Sequence, residues 1–404
     1  MESAEPSGRG RAVQPSSLRL AMADSIDPSD PRTGSGVSSG LLAGLREVVG
    51  EVVPLSGLLP PPLARGAHLA SVASRLRPRD LGDPRASAKR VHGAAQLGRP
   101  TIAARTLMLR RELAARGPFD AIVQRASDMV LPAGERVVTF EDSTVLQAVR
   151  SYPWRHFEGF TEADVRRYAA RQRRIYQAAE ACCCAAHWVA ESIVEDYGIP
   201  AAKVHTAGMG RNHLVAPPPE RDWSTPRFLF VGVDWTRKNG EAVLRAFARV
   251  RETHPDATLD VVGGHPPIEQ PGVTTHGSLS IAAPEARERL AALYRRATVF
   301  VMPSLHEPAG IVYLEAGAAG VPSIGTTDGG ASSMIGPAGV LVDPRSDEQI
   351  VAAMTRLCDP ATASELGAKA LERAELLTRR HVAERVVRAT GVPGLDTSGL
   401  AEYL

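Results

Sequence analysis

A chain of 404 residues is longer than one ordinary hydrophobic core supports, so its length predicts two domains of about 200 residues each. With 47 Lys and Arg against 45 Asp and Glu, the net charge of +2 gives no general attraction to nucleic acid or to a membrane surface. No uninterrupted apolar run reaches the ~18 residues of a membrane-spanning helix. Cys182, Cys183, Cys184 and Cys358 lack metal-ligand spacing, so we interpret them as small buried residues of a protein in a reducing, cytoplasmic compartment.

Short apolar segments alternate with helical patterns through the N-terminal half. Residues 1–17 are charged and rich in Pro and Ser, which predicts a disordered tail. The predicted strands are LRLAMAD (18–24), FDAIV (119–123), RVVTF (136–140), the run of three cysteines and KVHTA (203–207). The predicted helices start at Val37 or span 161–179 and 187–196. We assign these elements to a first domain, residues 18–210.

The same alternation restarts after a proline-rich polar stretch at 211–226, which is typical of an interdomain linker. Five strands are predicted there: RFLFVG (227–232), TLDVVG (258–263), TVFVMP (298–303), VPSIG (321–325) and GVLVD (339–343). Three helices are predicted between them, at 240–253, 283–295 and 310–319. These elements define a second domain, residues 227–380, and a C-terminal helix and tail at 381–404 that could cross back to the first.

Near-continuous apolar strands that alternate with amphipathic helices are typical of parallel sheets covered on both faces. The sequence therefore predicts an α/β protein of two Rossmann-like domains that face each other across a cleft. In open α/β sheets, ligands bind beyond the carboxyl ends of the strands. We expect the functional site in this cleft.

The stretch SLHEPAGIVYLEAGAAGVPSIG carries two glutamates eight residues apart, Glu307 and Glu315. Glu307 lies before the predicted helix and Glu315 on its second turn. The free backbone N–H groups of this helix end suit a phosphate, and they belong to Ala309, Gly310, Ile311 and Val312. A ligand made of a sugar, a diphosphate and a ribose would fit this layout, with the diphosphate at the helix end and the sugar and ribose each beside one carboxylate. The competing interpretation is that both carboxylates only cap the helix or complement its dipole.

With these motifs, the C-terminal half of the sequence resembles the retaining glycosyltransferases of family 4, which have the GT-B fold. E-P-A-G-I-V-Y-L-E-A matches the E-x7-E motif of that family. The stretches FVGVDWTRKNG, VVGG, GSLS, LYRRATVFVMPS, AGVPSIGTTDGG and GPAGVLVDP surround it in the family's order, over about 228–359. The resemblance implies that Glu307 contacts hydroxyls of the donor sugar and that Glu315 binds the ribose hydroxyls.

The resemblance also implies cationic side chains for the diphosphate. The family usually has an arginine where this chain has Val233, whereas Lys238 matches the family's lysine. Arg237 is expected to replace the missing charge; the alternative is that both residues form a solvated pair in a loop. The candidate catalytic residues are therefore Arg237, Lys238 and Glu307. A further departure is Ser333, where the family often has glutamate.

The first domain resembles the family more weakly. TGSG follows its first strand, and Gly36 there either brings backbone amides near the donor or belongs to a flexible turn. TFEDST occupies the place where many family members have a histidine, so Glu141 or Asp142 is the acceptor-side candidate. The alternative is a helix N-cap at Asp142, Ser143 or Thr144.

The implied activity is transfer of a sugar, with retention, from a nucleoside-diphosphate-sugar to a hydroxyl of a soluble acceptor. A UDP-sugar is the favoured donor, and a sugar, an aminocyclitol or another small natural product is the expected acceptor. The resemblance implies no cofactor and no bound metal, and the sequence has no D-x-D motif near a suitable cleft strand. A GT-B enzyme of other chemistry, such as a UDP-sugar epimerase, and a non-catalytic sugar-nucleotide-binding protein are the alternatives.

One arginine-rich helix bears on the acceptor. The segment ADVRRYAARQRRIYQAAE places its apolar residues on one face and most of its arginines elsewhere. We interpret it as a core-packed helix with a solvated arginine face, and contact with an acidic lipid is the alternative.

Overall fold

The computed structural model describes residues 13–31, 33, 36–74, 97–151, 160–211, 215–280 and 283–398. Its described part contains two six-stranded sheets, and all strand pairs in both sheets are parallel. The architecture of two parallel-sheet domains is therefore as predicted. Most of the predicted disordered tail lies outside the described residues.

The first sheet has the strand order β2-β1-β3-β4-β5-β6. Its strands are β1 (Arg19–Asp24), β2 (Glu51–Ser56), β3 (Ala121–Arg125), β4 (Val137–Glu141), β5 (Ala181–Cys184) and β6 (Val204–Thr206). The helices of this half are α1 (Val37–Val48), α2 (Pro61–Ala73), α3 (Arg99–Arg116), α4 (Val145–Ser151), α5 (Glu162–Ala178) and α6 (His187–Glu195).

The second sheet has the order β12-β11-β10-β7-β8-β9. Its strands are β7 (Arg227–Val231), β8 (Thr258–Val262), β9 (Val273–Thr275), β10 (Val299–Val301), β11 (Ser323–Thr326) and β12 (Gly339–Val342). The helices that follow the linker are α7 (Gly240–Thr253), α8 (Pro284–Arg296), α9 (Ile311–Ala318), α10 (Ala331–Ile335), α11 (Asp347–Arg356), α12 (Pro360–Leu376) and α13 (Arg379–Ala389).

Two strands escaped the sequence analysis, and both lie at a sheet edge. β2 contains Pro54, which lacks a backbone N–H and is tolerated because β2 has only β1 as a neighbour. β9 has only three residues, of which Thr274 and Thr275 are exposed, so it shows no apolar run. The interior strands have continuous apolar sequences because helices cover both faces of the sheet.

The three consecutive cysteines form β5 together with Ala181, and all three are fully buried, as predicted. Burial raises the pKa of the Cys182 thiol to about 11, so this thiol stays protonated at neutral pH. None of the helices in the described ranges has both the length and the apolar character needed to cross a bilayer.

The C-terminal helix α13 packs against α1 and so ties the end of the chain to the first half. The Nε of Arg379, at the start of α13, donates to the carbonyl of Arg211 at 2.9 Å. Further along α13, the buried Arg385 donates to the carbonyl of Ala207 at 2.9 Å. A Cβ on Gly210 would lie 2.8 Å from the Cα of Arg379, so this close approach requires glycine.

Candidate functional site

The site begins where β10 ends and α9 starts. Gly310 precedes α9 with a φ of +89°, and a Cβ there would lie 2.5 Å from the ring of Tyr313. Glycine is therefore required at this entry to the helix. The hydroxyl of Tyr313 donates to the carbonyl of Met302 at 2.7 Å, which fixes the loop between strand and helix.

The helix end presents unused backbone donors, as predicted. Within the part of the chain that the structure describes, no hydrogen bond is donated by the backbone N–H groups of Ala309, Gly310, Ile311 and Val312. The first N–H that is bonded here belongs to Tyr313, which donates to the carbonyl of Gly310 at 3.1 Å. Four adjacent N–H groups without a bonded acceptor and the positive end of the helix dipole suit an anionic oxygen.

Beside this helix end, Glu307 meets the two predicted cations. Its Oε2 accepts a hydrogen bond from Nζ of Lys238 and another, at 3.2 Å, from the hydroxyl of Ser304. The guanidinium of Arg237 lies 3.7 Å from the same oxygen and donates to the carbonyl of His306 at 3.0 Å. The structure thus brings together all three residues that we assigned to catalysis.

Glu307 and Lys238 are 5% and 8% exposed, so their charges are held almost out of water. Burial alone would raise the pKa of Glu307, but the attraction of Lys238 and Arg237 lowers it below its usual range. Burial lowers the pKa of Lys238, and the ion pair opposes that shift. The carboxylate and its two cations therefore form one interacting charged cluster beside the start of α9.

The loop after β7 positions these cations. Asn239 adopts a left-handed conformation, with a φ of +63°, just before α7. Its side-chain amide donates to the carbonyls of Pro303 and Pro344, at 3.2 and 2.6 Å. Val233, where the family usually has arginine, is 89% exposed and supplies no charge. Arg237 is therefore the second cation at this site.

Glu315 lies in a different environment. It is 5% exposed and its Oε2 accepts a hydrogen bond from the hydroxyl of Tyr294 at 3.2 Å. Burial raises the pKa of Glu315 to about 7, although Tyr294 and the positive charge of Arg379 oppose the shift. The sequence analysis did not single out Tyr294. The one indication in the sequence was that Tyr294 lies in the stretch LYRRATVFVMPS, which matches the family pattern.

The acceptor-side candidates lie at the end of β4 in the first half: Glu141 is its last residue and Asp142 follows it. Glu141 is 3% exposed, and its Oε1 accepts hydrogen bonds from the hydroxyl and, at 3.0 Å, from the N–H of Ser127. Burial raises the pKa of Glu141 to about 8. Asp142 is more accessible and pairs with Arg125 at 3.1 Å. All four residues line a cavity of about 150 Å³.

The helix-cap alternative is confirmed at Thr144, one of the three positions that it named, and not at Asp142. The hydroxyl of Thr144 accepts the N–H of Gln147 at 3.2 Å, so Thr144 is the residue that caps α4. Gly36 has a φ of +74° and precedes α1, as the predicted turn requires. Residues 34 and 35 of the TGSG stretch lie outside the described residues. Among the described residues, no hydrogen bond joins Gly36 to Glu307.

Contacts between the two halves reach this site directly. The N–H of His187, the first residue of α6, donates to the hydroxyl of Ser333 at 3.0 Å. The rings of Trp188 and His306 meet edge to face, with their centroids 5.6 Å apart. Ser333, a departure from the family pattern, therefore has a defined role as an interdomain contact.

Comparisons with known proteins show what this chain is similar to. Residues 225–359 match the profile of a family described as "Glycosyl transferases group 1". A D-inositol 3-phosphate glycosyltransferase of Rhodococcus opacus is 30% identical over 223 residues, or 49% of this chain and 50% of the relative. A GDP-mannose-dependent alpha-(1-6)-phosphatidylinositol monomannoside mannosyltransferase of Mycolicibacterium smegmatis is 34% identical over 148 residues, or 32% of this chain and 38% of the relative. The matches thus span half or less of these curated relatives.

Solved structures establish the fold. Sucrose-phosphate synthase from Thermosynechococcus elongatus superimposes with a TM-score of 0.63 at 18% identity, covering 91% of this chain and 97% of the other. WaaG, a glycosyltransferase involved in lipopolysaccharide biosynthesis, gives 0.57 at 15% identity, covering 92% and 99%. The fold is therefore GT-B, and the fold prediction is confirmed.

Proposed function

We propose that the protein is a retaining glycosyltransferase that moves a sugar from a nucleoside-diphosphate-sugar to an acceptor hydroxyl. The observation that carries this proposal is the convergence of Arg237, Lys238 and Glu307 beside four unused N–H groups at the start of α9. A diphosphate supplies the negative oxygens that such an arrangement lacks. Both the family match and the GT-B fold support the same class of reaction.

The site would act by stabilising the leaving group. As the bond between sugar and diphosphate breaks, negative charge develops on the phosphate oxygens. Lys238, Arg237 and the N–H groups of α9 would meet that charge in positions fixed before the reaction. Glu307 would hold sugar hydroxyls, and Glu315 would bind the ribose while Tyr294 orients its carboxylate.

The acceptor would enter from the first half, beside Glu141 and Asp142. The relatives are named for inositol 3-phosphate and for a phosphatidylinositol monomannoside, both of which contain an inositol ring, a cyclic polyol. A hydroxyl-rich ring is therefore the acceptor class that we propose. A UDP-sugar remains the favoured donor, and GDP-mannose, which the second relative's name contains, is the first alternative to test.

A panel of sugar nucleotides tests the proposal. Purified protein would be titrated with UDP-, GDP-, ADP- and dTDP-sugars, with the unfolding temperature as the readout and release of the free nucleoside diphosphate as the second readout. One donor class should raise the unfolding temperature in a saturable way and be turned over. If no sugar nucleotide binds, the proposed function is wrong. Binding without turnover would favour the non-catalytic alternative.

Turnover is expected to survive chelation of divalent metal ions. The positive charge that the leaving diphosphate needs is supplied by Arg237, Lys238 and backbone N–H groups of α9. The measurement is nucleoside diphosphate release with and without excess EDTA, followed by addition of Mg²⁺ or Mn²⁺. Activity that disappears in EDTA and returns with either ion would contradict this expectation.

Glu141 is expected to make folding stability depend on pH. A free Glu titrates near pH 4.5, but the buried carboxyl of Glu141 has a pKa of about 8. Between these values the folded protein keeps a proton that the unfolded chain has released, so raising the pH lowers the free energy of unfolding. The limit for one group is about 1.4 kcal/mol per pH unit.

Glu141→Gln keeps an acceptor for Ser127 and removes the titration. Urea unfolding at pH 5.5 and 7.5 should therefore show a smaller loss of stability in Glu141→Gln than in the wild type. Asp142→Asn is the control, because it alters the neighbouring carboxylate and leaves Glu141 in place. Identical pH dependence in the wild type and Glu141→Gln would show that Glu141 is ionised in the folded state.

A further inference from the structure

One arginine of the stretch that the sequence assigns to the interdomain linker is bonded to two helices of the second domain. The Nη1 of Arg221 donates to the carbonyl of Ala297, just after α8, and more weakly, at 3.5 Å, to the carbonyl of Tyr294 in the last turn of that helix. Its Nη2 donates to the carbonyl of Ala319, just after α9. One guanidinium therefore joins the carboxyl ends of α8 and α9.

The two helix ends supply the acceptors that this cation needs. The last carbonyls of a helix have no N–H partner within the helix and form the negative end of its dipole. Among the described residues, Arg221 has no carboxylate partner, and the neighbouring Asp222 is bonded to Ser224 and Arg227 instead. Burial lowers the pKa of Arg221 only to about 10, so at neutral pH the helix ends face a charged guanidinium.

Trp223 holds the guanidinium in this position. The Cζ of Arg221 lies 5.2 Å from the centroid of the Trp223 ring, which is within the range of a cation–π contact. The same ring packs against α12, where a Cβ on Gly367 would lie 2.9 Å from Cη2 of Trp223. Arg221 is therefore held between an aromatic ring and two helix ends.

The two helices that Arg221 joins carry the pair to which the proposed function assigns the ribose. Tyr294, whose carbonyl accepts from Arg221, donates its hydroxyl to Glu315 at 3.2 Å. Ala319, whose carbonyl also accepts from Arg221, donates its own N–H to the backbone carbonyl of Glu315 at 3.3 Å. Arg221 therefore contacts Tyr294 directly and reaches Glu315 through one further residue.

The helix α9 is short, so a contact at its end affects the position of Glu315. It has eight residues, which corresponds to about 12 Å. A slide of the helix by one residue moves its side chains by about 1.5 Å, which is enough to break the 3.2 Å hydrogen bond between Tyr294 and Glu315. The amino end of α9 is fixed separately, because the hydroxyl of Tyr313 donates to the carbonyl of Met302.

We propose that Arg221 is a positioning residue for the nucleoside. By joining α8 and α9, it keeps the hydroxyl of Tyr294 and the carboxylate of Glu315 in the arrangement that binds the ribose. It acts through these two residues and not by contact with the ligand. The inference rests on the proposed function, since it concerns the same site, and it gives the linker stretch a role in substrate binding.

The experiment compares two variants that each remove one guanidinium bridge between helices of the second domain. Arg221→Met keeps an unbranched side chain beside Trp223 and removes every donor. Arg245→Met is the matched control, because Arg245 of α7 bridges to Asp347 of α11, at 2.7 and 2.8 Å. The full chain would be titrated calorimetrically with UDP, GDP and ADP, and with inorganic pyrophosphate, which has no ribose. The unfolding temperature would verify that both variants are folded.

Arg221→Met is expected to bind the nucleoside diphosphate roughly 2- to 10-fold more weakly, which is the effect of about one hydrogen bond. Pyrophosphate should bind to this variant as it does to the wild type, because the phosphate contacts lie at the opposite end of α9. Arg245→Met should bind both kinds of ligand like the wild type. Unchanged nucleoside diphosphate affinity in Arg221→Met, or an equal loss for pyrophosphate, would overturn the inference.

A double variant separates positioning from a general loss of structure. If Arg221 acts through Glu315, adding Arg221→Met to Glu315→Ala should weaken nucleoside diphosphate binding no further than Glu315→Ala alone. Additive losses would overturn the inference. If the wild type and Arg221→Met bind nucleoside diphosphate equally, only this inference fails. If the wild type binds none of the three nucleoside diphosphates and no sugar nucleotide, the proposed function fails, and this inference fails with it.

Discussion

Lys238→Ala is expected to lower kcat by about 10²- to 10³-fold, because it removes a preorganised cation that faces the leaving diphosphate. In the folded protein Nζ of Lys238 contacts Glu307 next to the unused N–H groups of α9, so the lysine is held where phosphate oxygens would bind. Steady-state measurement of nucleoside diphosphate release would give kcat and KM separately. Wild-type turnover in this variant would contradict the assignment.

The same substitution also affects folding, since it leaves the buried Glu307 without its nearest cation. Removing one partner of a buried ion pair lowers the free energy of unfolding by up to about 3–5 kcal/mol. The loss is smaller here because Arg237 still lies 3.7 Å from the carboxylate. The double variant Lys238→Met with Glu307→Gln is the control, because it removes both charges together. Its free energy of unfolding should lie closer to the wild type, while its turnover stays low.

The two glutamates are expected to respond differently to ligands. If Glu315 binds the ribose, Glu315→Ala should weaken free nucleoside diphosphate and intact donor by a similar factor of about 10 to 100, which corresponds to about 1.5–3 kcal/mol. If Glu307 holds the sugar, Glu307→Ala should weaken donor binding and lower kcat, because the anomeric carbon is no longer positioned.

Free nucleoside diphosphate should not bind more weakly to Glu307→Ala. In the absence of ligand, Glu307 pairs with Lys238 and lies near Arg237. Its removal therefore leaves both cations free to bind the phosphates. Calorimetric titration of both variants with both ligands separates these outcomes. If both variants lose nucleoside diphosphate affinity equally, or lose only melting temperature, the division of roles is wrong and the capping interpretation is favoured.

Local sequence patterns were sufficient to predict the two sheets and the start of α9. Continuous apolar strands such as β7 and β8 could be recognised because burial on both faces removes the alternation of polar and apolar residues. The sequence pattern did not predict β2, because this strand contains Pro54 and proline is more typical of turns. Proline is tolerated at a sheet edge, but the edge position of β2 is known only from the structure. The helix end at Gly310 was predictable because Glu307, the glycine and the apolar run are neighbours in sequence.

The contacts that complete the site depend on the packing of distant segments. Lys238 and Glu307 are 69 residues apart in sequence. The sequence analysis assigned both to ligand binding, but it did not predict that they form an ion pair with each other when no ligand is bound. Ser333 meets His187 only because the two halves pack together, so its departure from the family pattern had no visible reason.

The most direct test of the central claim, that this helix end binds a sugar nucleotide for retaining transfer, is NMR of donor turnover with water as the acceptor. This measurement needs no knowledge of the natural acceptor. The account predicts release of one nucleoside diphosphate per sugar, with the first-formed free sugar in the anomeric configuration of the donor, and a large loss of rate in Lys238→Ala. A donor converted to a different sugar nucleotide without nucleoside diphosphate release, or a first product of inverted configuration, would contradict it.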